Sequence, residues 1–307
     1  MNPLFSDMSI SLGAPRDSQV AYLAMVLDKM ALSPDASHAA IIEFHPGAVA
    51  QLDFLETAIV GMAYVEERPE SLVLLGEWGT TYVVDATGTH VGAIAGVNDR
   101  GPLRALRCVD NVVLAVGTNL QVYARDPDGS WMNFGPGSDL KRSFARNHLE
   151  AIDGYSRNEL YAAGRRGIIW RFDGSSWNPT ETPTNLALTD IHCADDGVVY
   201  ACGQCGTVVA GRGDRFELVA QDTSIDDLWG IREFRGTVYT ATMRALLVLN
   251  KDELQPCMPA MKLAGSFYSL GVSDGVLWSF GAKDLLRSNG DRWVRSEEVT
   301  VVPRNES

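Results

Sequence analysis

The chain repeats itself about every 40 residues, and no other feature narrows its possible folds as much. Apolar runs recur as Leu72-Val73-Leu74-Leu75-Gly76, Val113-Leu114-Ala115-Val116-Gly117, Leu160-Tyr161-Ala162-Ala163-Gly164, Tyr200-Ala201-Cys202-Gly203, Val238-Tyr239-Thr240-Ala241-Thr242 and Leu277-Trp278-Ser279-Phe280-Gly281. Their last residues lie 41, 47, 39, 39 and 39 positions apart. Short apolar runs at this period indicate stacked structural units rather than one continuous sheet.

Each period has the same internal order. An apolar pair three residues apart comes first: Leu103 and Leu106, Leu149 and Ile152, Leu188 and Ile191, Leu228 and Ile231, Phe267 and Leu270. A turn follows, with Asp110-Asn111, Asp196-Gly197, Arg235-Gly236 or Asp274-Gly275, residues that tolerate positive φ between strands. Next come the glycine-terminated strand, a short loop and a third run such as Ile168-Ile169-Trp170-Arg171-Phe172. A polar turn and an aromatic close the unit, as in Asp128-Gly129-Ser130-Trp131 and Asp173-Gly174-Ser175-Ser176-Trp177. Four short strands result, and such a sheet cannot cover its own two faces. Radial stacking covers both and leaves only short edges, which is the β-propeller solution. A linear β-solenoid is the second architecture the period allows.

Residues 160–177 resemble the repeat of bacterial short-blade propellers, whose relatives include the sialidase-type Asp-box and photosystem-assembly-factor propellers. The resemblance covers about residues 57–295, in six periods, and implies architecture rather than chemistry. In residues 1–56, Ala39-Ala40-Ile41-Ile42-Glu43-Phe44 and Ala48-Val49-Ala50-Gln51-Leu52 read as middle strands of a seventh blade. Ser18 to Met30 reads as a helix or as a strand opening that blade. The run Val299-Thr300-Val301-Val302 is placed to add a strand to the first blade and close the ring. The expectation is therefore one all-β domain over 1–307, a propeller of seven four-stranded blades closed by its terminal strands.

Net charge is −13, from 26 Lys and Arg against 39 Asp and Glu. That balance disfavours nucleic acid and acidic membranes and favours basic protein partners. Five cysteines, an odd number in a chain too large to need staples, point to a reducing compartment, the cytoplasm. The N-terminus has neither signal-peptide nor membrane-span character.

No catalytic or cofactor motif emerges. Cys202-Gly203-Gln204-Cys205 is a C-x-x-C with no second pair to complete a zinc site, and it lies between strands rather than at a helix start. Packing thiols are the expected role. His38, His45, His90, His148 and His192 are scattered, with no metal-ligand spacing. An Asp-box carbohydrate-active enzyme or lectin, using Arg165, Arg166, Asp226 and Asp227, is the alternative from the enzyme class. An assembly factor or adaptor is another.

In a propeller, the loops joining second to third strands and those entering each blade crowd around the channel mouth. Here they supply Glu77, Trp78, Asn119, Arg146, His148, Arg165, Arg166, Gln204, Asp226, Asp227, Arg244 and Lys283 as candidate partner-binding residues. The set is polar, mixed in sign and different in every blade. For Trp78, burial against a neighbouring loop is favoured over exposure, and the other six tryptophans are assigned to packing between blades. The 13 residues from Gly135 to Asn147 account for the 47-residue period and carry local positive charge. The reading is a cytoplasmic, non-catalytic, protein-binding propeller that is monomeric on its own and uses no metal or cofactor. Its expected role is inhibitor or immunity protein, neutralising a basic toxin or enzyme.

Overall fold

The structure, a computed structural model, describes residues 6–31, 37–67, 69–136, 147–296 and 300–301. Seven antiparallel sheets follow one another along the chain, each built from four consecutive strands, here a to d. Blade 1 consists of Met8–Pro15, Ala21–Leu27, Ala39–His45 and Ala48–Leu55, and blade 2 of Ile59–Val65, Ser71–Gly76, Thr80–Asp85 and Gly88–Ala93. Blade 3 is Leu103–Val109, Val112–Gly117, Val122–Arg125 and Trp131–Asn133; blade 4 is Leu149–Ser156, Glu159–Gly164, Ile169–Phe172 and Trp177–Pro179. Blade 5 takes Leu188–Cys193, Val199–Gly203, Val208–Arg212 and Arg215–Ala220; blade 6 takes Gly230–Phe234, Thr237–Ala241, Leu246–Asn250 and Glu253–Pro256. Blade 7 holds Ser269–Ser273, Val276–Phe280, Leu285–Ser288 and Trp293–Arg295.

Every a strand packs against the a strands of both neighbours, with Met8–Pro15 against Ser269–Ser273 completing the circle. The fold is thus the expected seven-bladed β-propeller. Among the described residues no helix is long and apolar enough to cross a membrane.

The core is divided into seven apolar clusters, one at each seam between adjacent blades. Strand alternation explains how one b strand serves two of them. Leu160 and Ala162 enter the cluster shared with blade 3, whereas Tyr161 and Ala163 enter the one shared with blade 5. This is why the b strands read as unbroken apolar runs. The a–b turns hold Asp110, Asn111, Arg235 and Asp274 at positive φ, as their sequence implies. In the c–d turn of blade 4 the Asp173 carboxylate accepts hydrogen bonds from the backbone N–H groups of Ser175 and Ser176, each at 2.9 Å. These donors and the Ser175 hydroxyl pull its pKa down to about 2.

Blade 1 departs from expectation in strand order. Ala39–His45 and Ala48–Leu55 are its third and fourth strands, not its middle pair, and Ser18 to Met30 holds the second strand, Ala21–Leu27, and the start of the four-residue helix Asp28–Ala31, rather than a full helix or the opening strand. Because Ala21 to Met25 are all buried, both faces are apolar and no strand periodicity shows. The C-terminal run does return to blade 1: Thr300–Val301 pairs in parallel with Ala48 and Val49 on its outer edge. Packing and hydrogen bonds join blade 7 to blade 1. Phe280 and Trp278 share a cluster with Leu23, Met25 and Phe44, and Trp278 Nε1 donates to the Asp17 carbonyl at 3.2 Å.

Candidate functional site

The b–c loops and the entries to the a strands form one hydrogen-bonded collar. Arg165 N donates to the His148 carbonyl and Gln204 N to that of Ala187, each within a blade. Leu103 N donates to the Glu77 carbonyl, Leu228 N to Gly203, Phe267 N to Met243 and Ile10 N to Ala282, each between neighbours. Both loop sets therefore share one face, as the sequence reading places them.

On that face the candidate residues play different parts. Arg165, Arg166, Gln204 and Asp227 line the central channel, a cavity of about 1010 Å³. Several others are committed to the scaffold. Asn119, at φ +55°, donates from Nδ2 to the Arg100 carbonyl at 2.6 Å. Gln204 Oε1 accepts from Ala187 N at 3.1 Å, and Asp227 Oδ1 accepts from Cys205 N at 3.0 Å. Lys283 bridges to blade 1, donating from Nζ to the Met8 carbonyl at 2.8 Å and to Asp28. Glu77 pairs with Arg104 at 3.5 Å. Asp226 and Arg244 are exposed away from the channel lining. Arg146 and most of the long loop before Asn147 lie outside the described residues.

Trp78 corrects the expectation of burial, since 55% of it is exposed. The loop is held from below, where Gly79 packs on Val97 and accepts from Ile94 N at 2.8 Å, so the indole has no wall to fold against. Trp229 packs across the seam of blades 6 and 7, 5.5 Å from the Tyr268 ring, and lines the channel as well. The remaining five tryptophans do pack at seams.

The channel wall is not uniform. Blades 3 to 6 supply Arg104, Arg107, Arg165, Arg166 and Arg232 against Glu150, Asp190 and Asp227. Two carboxylates, Asp153 buried and Asp190 half-buried, lace these blades together. Asp153 accepts from Arg107 Nε at 3.3 Å and from Cys193 N at 3.1 Å, and meets His192 Nδ1 at 3.1 Å. Asp190 accepts from Arg232 at 2.7 Å and from Ile231 N at 3.0 Å. Burial alone would raise the Asp153 carboxyl, but Arg107, His192 and Arg232 hold it well below the usual carboxylate range. Blades 7, 1 and 2 contribute small or apolar groups instead, among them Gly13, Gly61, Met62 and Gly271.

Sequence reasoning missed this lacing and missed Arg104, Glu150, Trp229 and Tyr268. A signal was present. Arg107, Asp153, His192 and Arg232 each follow the second member of their blade's apolar pair.

Cys202 is fully buried and faces blade 6, and burial pushes its thiol pKa up. Cys193 lies at the opposite seam, toward blade 4. All five thiols are free, and among the described residues no three His, Cys, Asp or Glu side chains converge on a metal-sized point.

No protein-family profile matches the sequence. Solved structures of similar fold include the WD40 β-propeller domain of Doa1, at TM-score 0.65 and 13% identity over 94% of this chain and 92% of that one. YCF48 bound to a D1 peptide is another, at TM-score 0.62 and 16% identity over 97% and 93%. At such identities the likeness is one of fold. The immune protein Tsi7 of Pseudomonas aeruginosa is similar in sequence as well, 35% identical over 304 residues, 96% of this chain and 98% of that protein. Since the match runs through all seven blades, the chain belongs to the family of the immune protein Tsi7.

Proposed function

We propose that this protein is an immunity protein that binds and neutralises a toxin with the loop-bearing face of its propeller, performing no chemistry of its own. The observation that carries this reading is the 35% identity to an immune protein across 96% of the chain. The face suits the task. Trp78 on blade 2 and Met243 on blade 6 stand 55% and 57% exposed on b–c loops, where apolar groups ringed by polar ones act as interface anchors. A net charge of −13 speeds capture of a basic toxin. Five unpaired thiols suit the cytoplasm, and seven closed seams leave a monomer complete.

The test is co-expression with the basic product encoded beside its gene, followed by purification of both. Protection from that product's toxicity and a stable complex are expected. A toxin that kills unabated and elutes apart from this protein would falsify the reading. Within a complex, Trp78→Ala should weaken capture by about tenfold or more, the scale of an exposed aromatic anchor.

A further inference from the structure

We infer that the channel mouth between blades 3 and 4 receives an acidic side chain of the protein partner, held by Arg104, Arg165 and Arg166. The inference rests on the toxin reading and adds the chemistry of one contact. It runs against the protein's overall charge: in a chain of −13, the channel lining carries five arginines against three carboxylates.

The guanidinium donors at this mouth are incompletely used. Arg165 engages Glu150 through Nε at 2.8 Å, and Arg104 reaches Glu77 only through Nη1 at 3.5 Å. Arg104 Nε is buried without a partner. Arg166 is exposed and has no ion pair among the described residues. Its backbone sits at φ +65°, and the matching loops of blades 3 and 5 hold Asn119 and Cys205 at +55° and +54°. The turn geometry is therefore common to three blades, and only blade 4 uses it to present a cation. Beneath these groups His148 Nδ1 is buried and unpartnered. Burial and the fields of Arg165, Arg104 and Arg166 lower its pKa against the opposing pull of Glu150.

Such a cluster matches a carboxylate, which guanidinium forks bind with two parallel hydrogen bonds. A polyanion such as nucleic acid is disfavoured, because the remaining surface repels it. A single acid on a protruding polypeptide loop meets only the local field. The rest of the lining favours polypeptide too, with Trp229 and Tyr268 5.5 Å apart at blades 6 and 7 and the polar groups of Asn185 and Gln204 at blade 5. A cavity of about 1010 Å³ admits several side chains.

The experiment compares the affinity of the neighbouring-gene product for the wild-type chain, Arg166→Glu and Lys251→Glu, with thermal melts to show that each variant is folded. Lys251 is exposed in the c–d turn of blade 6, at the end of the blade away from the b–c loops, so it controls for net charge. Arg166→Glu is expected to weaken binding on the order of 100-fold, mostly through faster dissociation, and Lys251→Glu less than threefold. Unchanged affinity in Arg166→Glu, or equal losses in both variants, overturns the inference while leaving the proposed function standing. A wild-type chain that captures no product refutes the proposed function itself. The site is then read without the toxin, by titrating hexaglutamate into the full chain at low salt and following the His148 ring signals by NMR. Shifts that vanish in Arg166→Glu support the site, and signals that never move overturn it.

Discussion

The two sides of the central channel are built on the same backbone and held together by opposite means. Across blades 3 to 6, Asp153 and Asp190 bridge three seams with ion pairs and hydrogen bonds. At the seam of blades 7 and 1, and again from blade 2 to blade 3, glycine lets neighbours touch. A Cβ on Gly13 would fall 2.1 Å from the Phe280 ring, one on Gly271 2.7 Å from Pro15, and one on Gly61 2.5 Å from Leu106. Close contact at the 7–1 seam adds dispersion to the polar bonds that cross it, from Ile10 N to the Ala282 carbonyl and from Lys283 Nζ to the Met8 carbonyl and Asp28. Polar lacing leaves guanidinium donors facing the channel, so the side built with charges is also the side that can recognise something.

The comparison can be broken first at Asp153. Asp153→Ala strands Arg107 and His192 and should cost about 3 kcal/mol in urea unfolding. That is the low end for a broken buried pair, because a third of the Arg107 side chain stays in channel solvent. A loss under about 1 kcal/mol would show that the lacing is ornamental. The same carboxylate sets a pH dependence. Its folded pKa is depressed, so its stabilisation is complete above the unfolded value of about 3.9 and is lost as pH falls through the folded one. Below pH 4 the wild type should lose stability more steeply than Asp153→Asn, and parallel pH profiles would remove the carboxylate from the account.

On the glycine side, Gly13→Ala forces a methyl into a ring that is itself 1% exposed, and about 2 kcal/mol should be lost to overpacking. A neutral result would mean that blades 7 and 1 can slide apart. Deleting residues 297–307 removes the strand pairing on the outer edge of blade 1. With Thr300 and Val301 the residues paired among those described, the cost should be about 1 kcal/mol or less, measured as a shift in Tm. A collapse of the fold would make that outer clasp, rather than the inner packing, the true closure. The smallest effect belongs to Trp78→Ala, within about 0.5 kcal/mol of wild-type stability, because the indole is mostly in solvent.

Much of this was legible residue by residue. The pairs Leu149 and Ile152, or Leu188 and Ile191, mark a strands because those positions must face neighbouring blades in every period. Blade 1 was harder to order. Its second strand, Ala21–Leu27, is buried on most of both faces and so carries no alternation, and its c–d turn, Pro46-Gly47, lacks the aspartate that marks those of blades 3 and 4. Trp78 was misread for a related reason. Whether a loop indole finds a wall depends on residues far away in sequence, such as Tyr268 for Trp229.

By itself the sequence determined the period, the four strands within it and the number of blades, because apolar alternation and turn chemistry are local and repeat. The tertiary structure decided which charges meet. Arg107, Asp153, His192 and Arg232 occupy one position in four successive periods, yet their pairing exists only because the ring sets those periods side by side. Coulomb attraction and hydrogen bonding act over a few ångströms, and in this protein those few ångströms join residues about 40 positions apart.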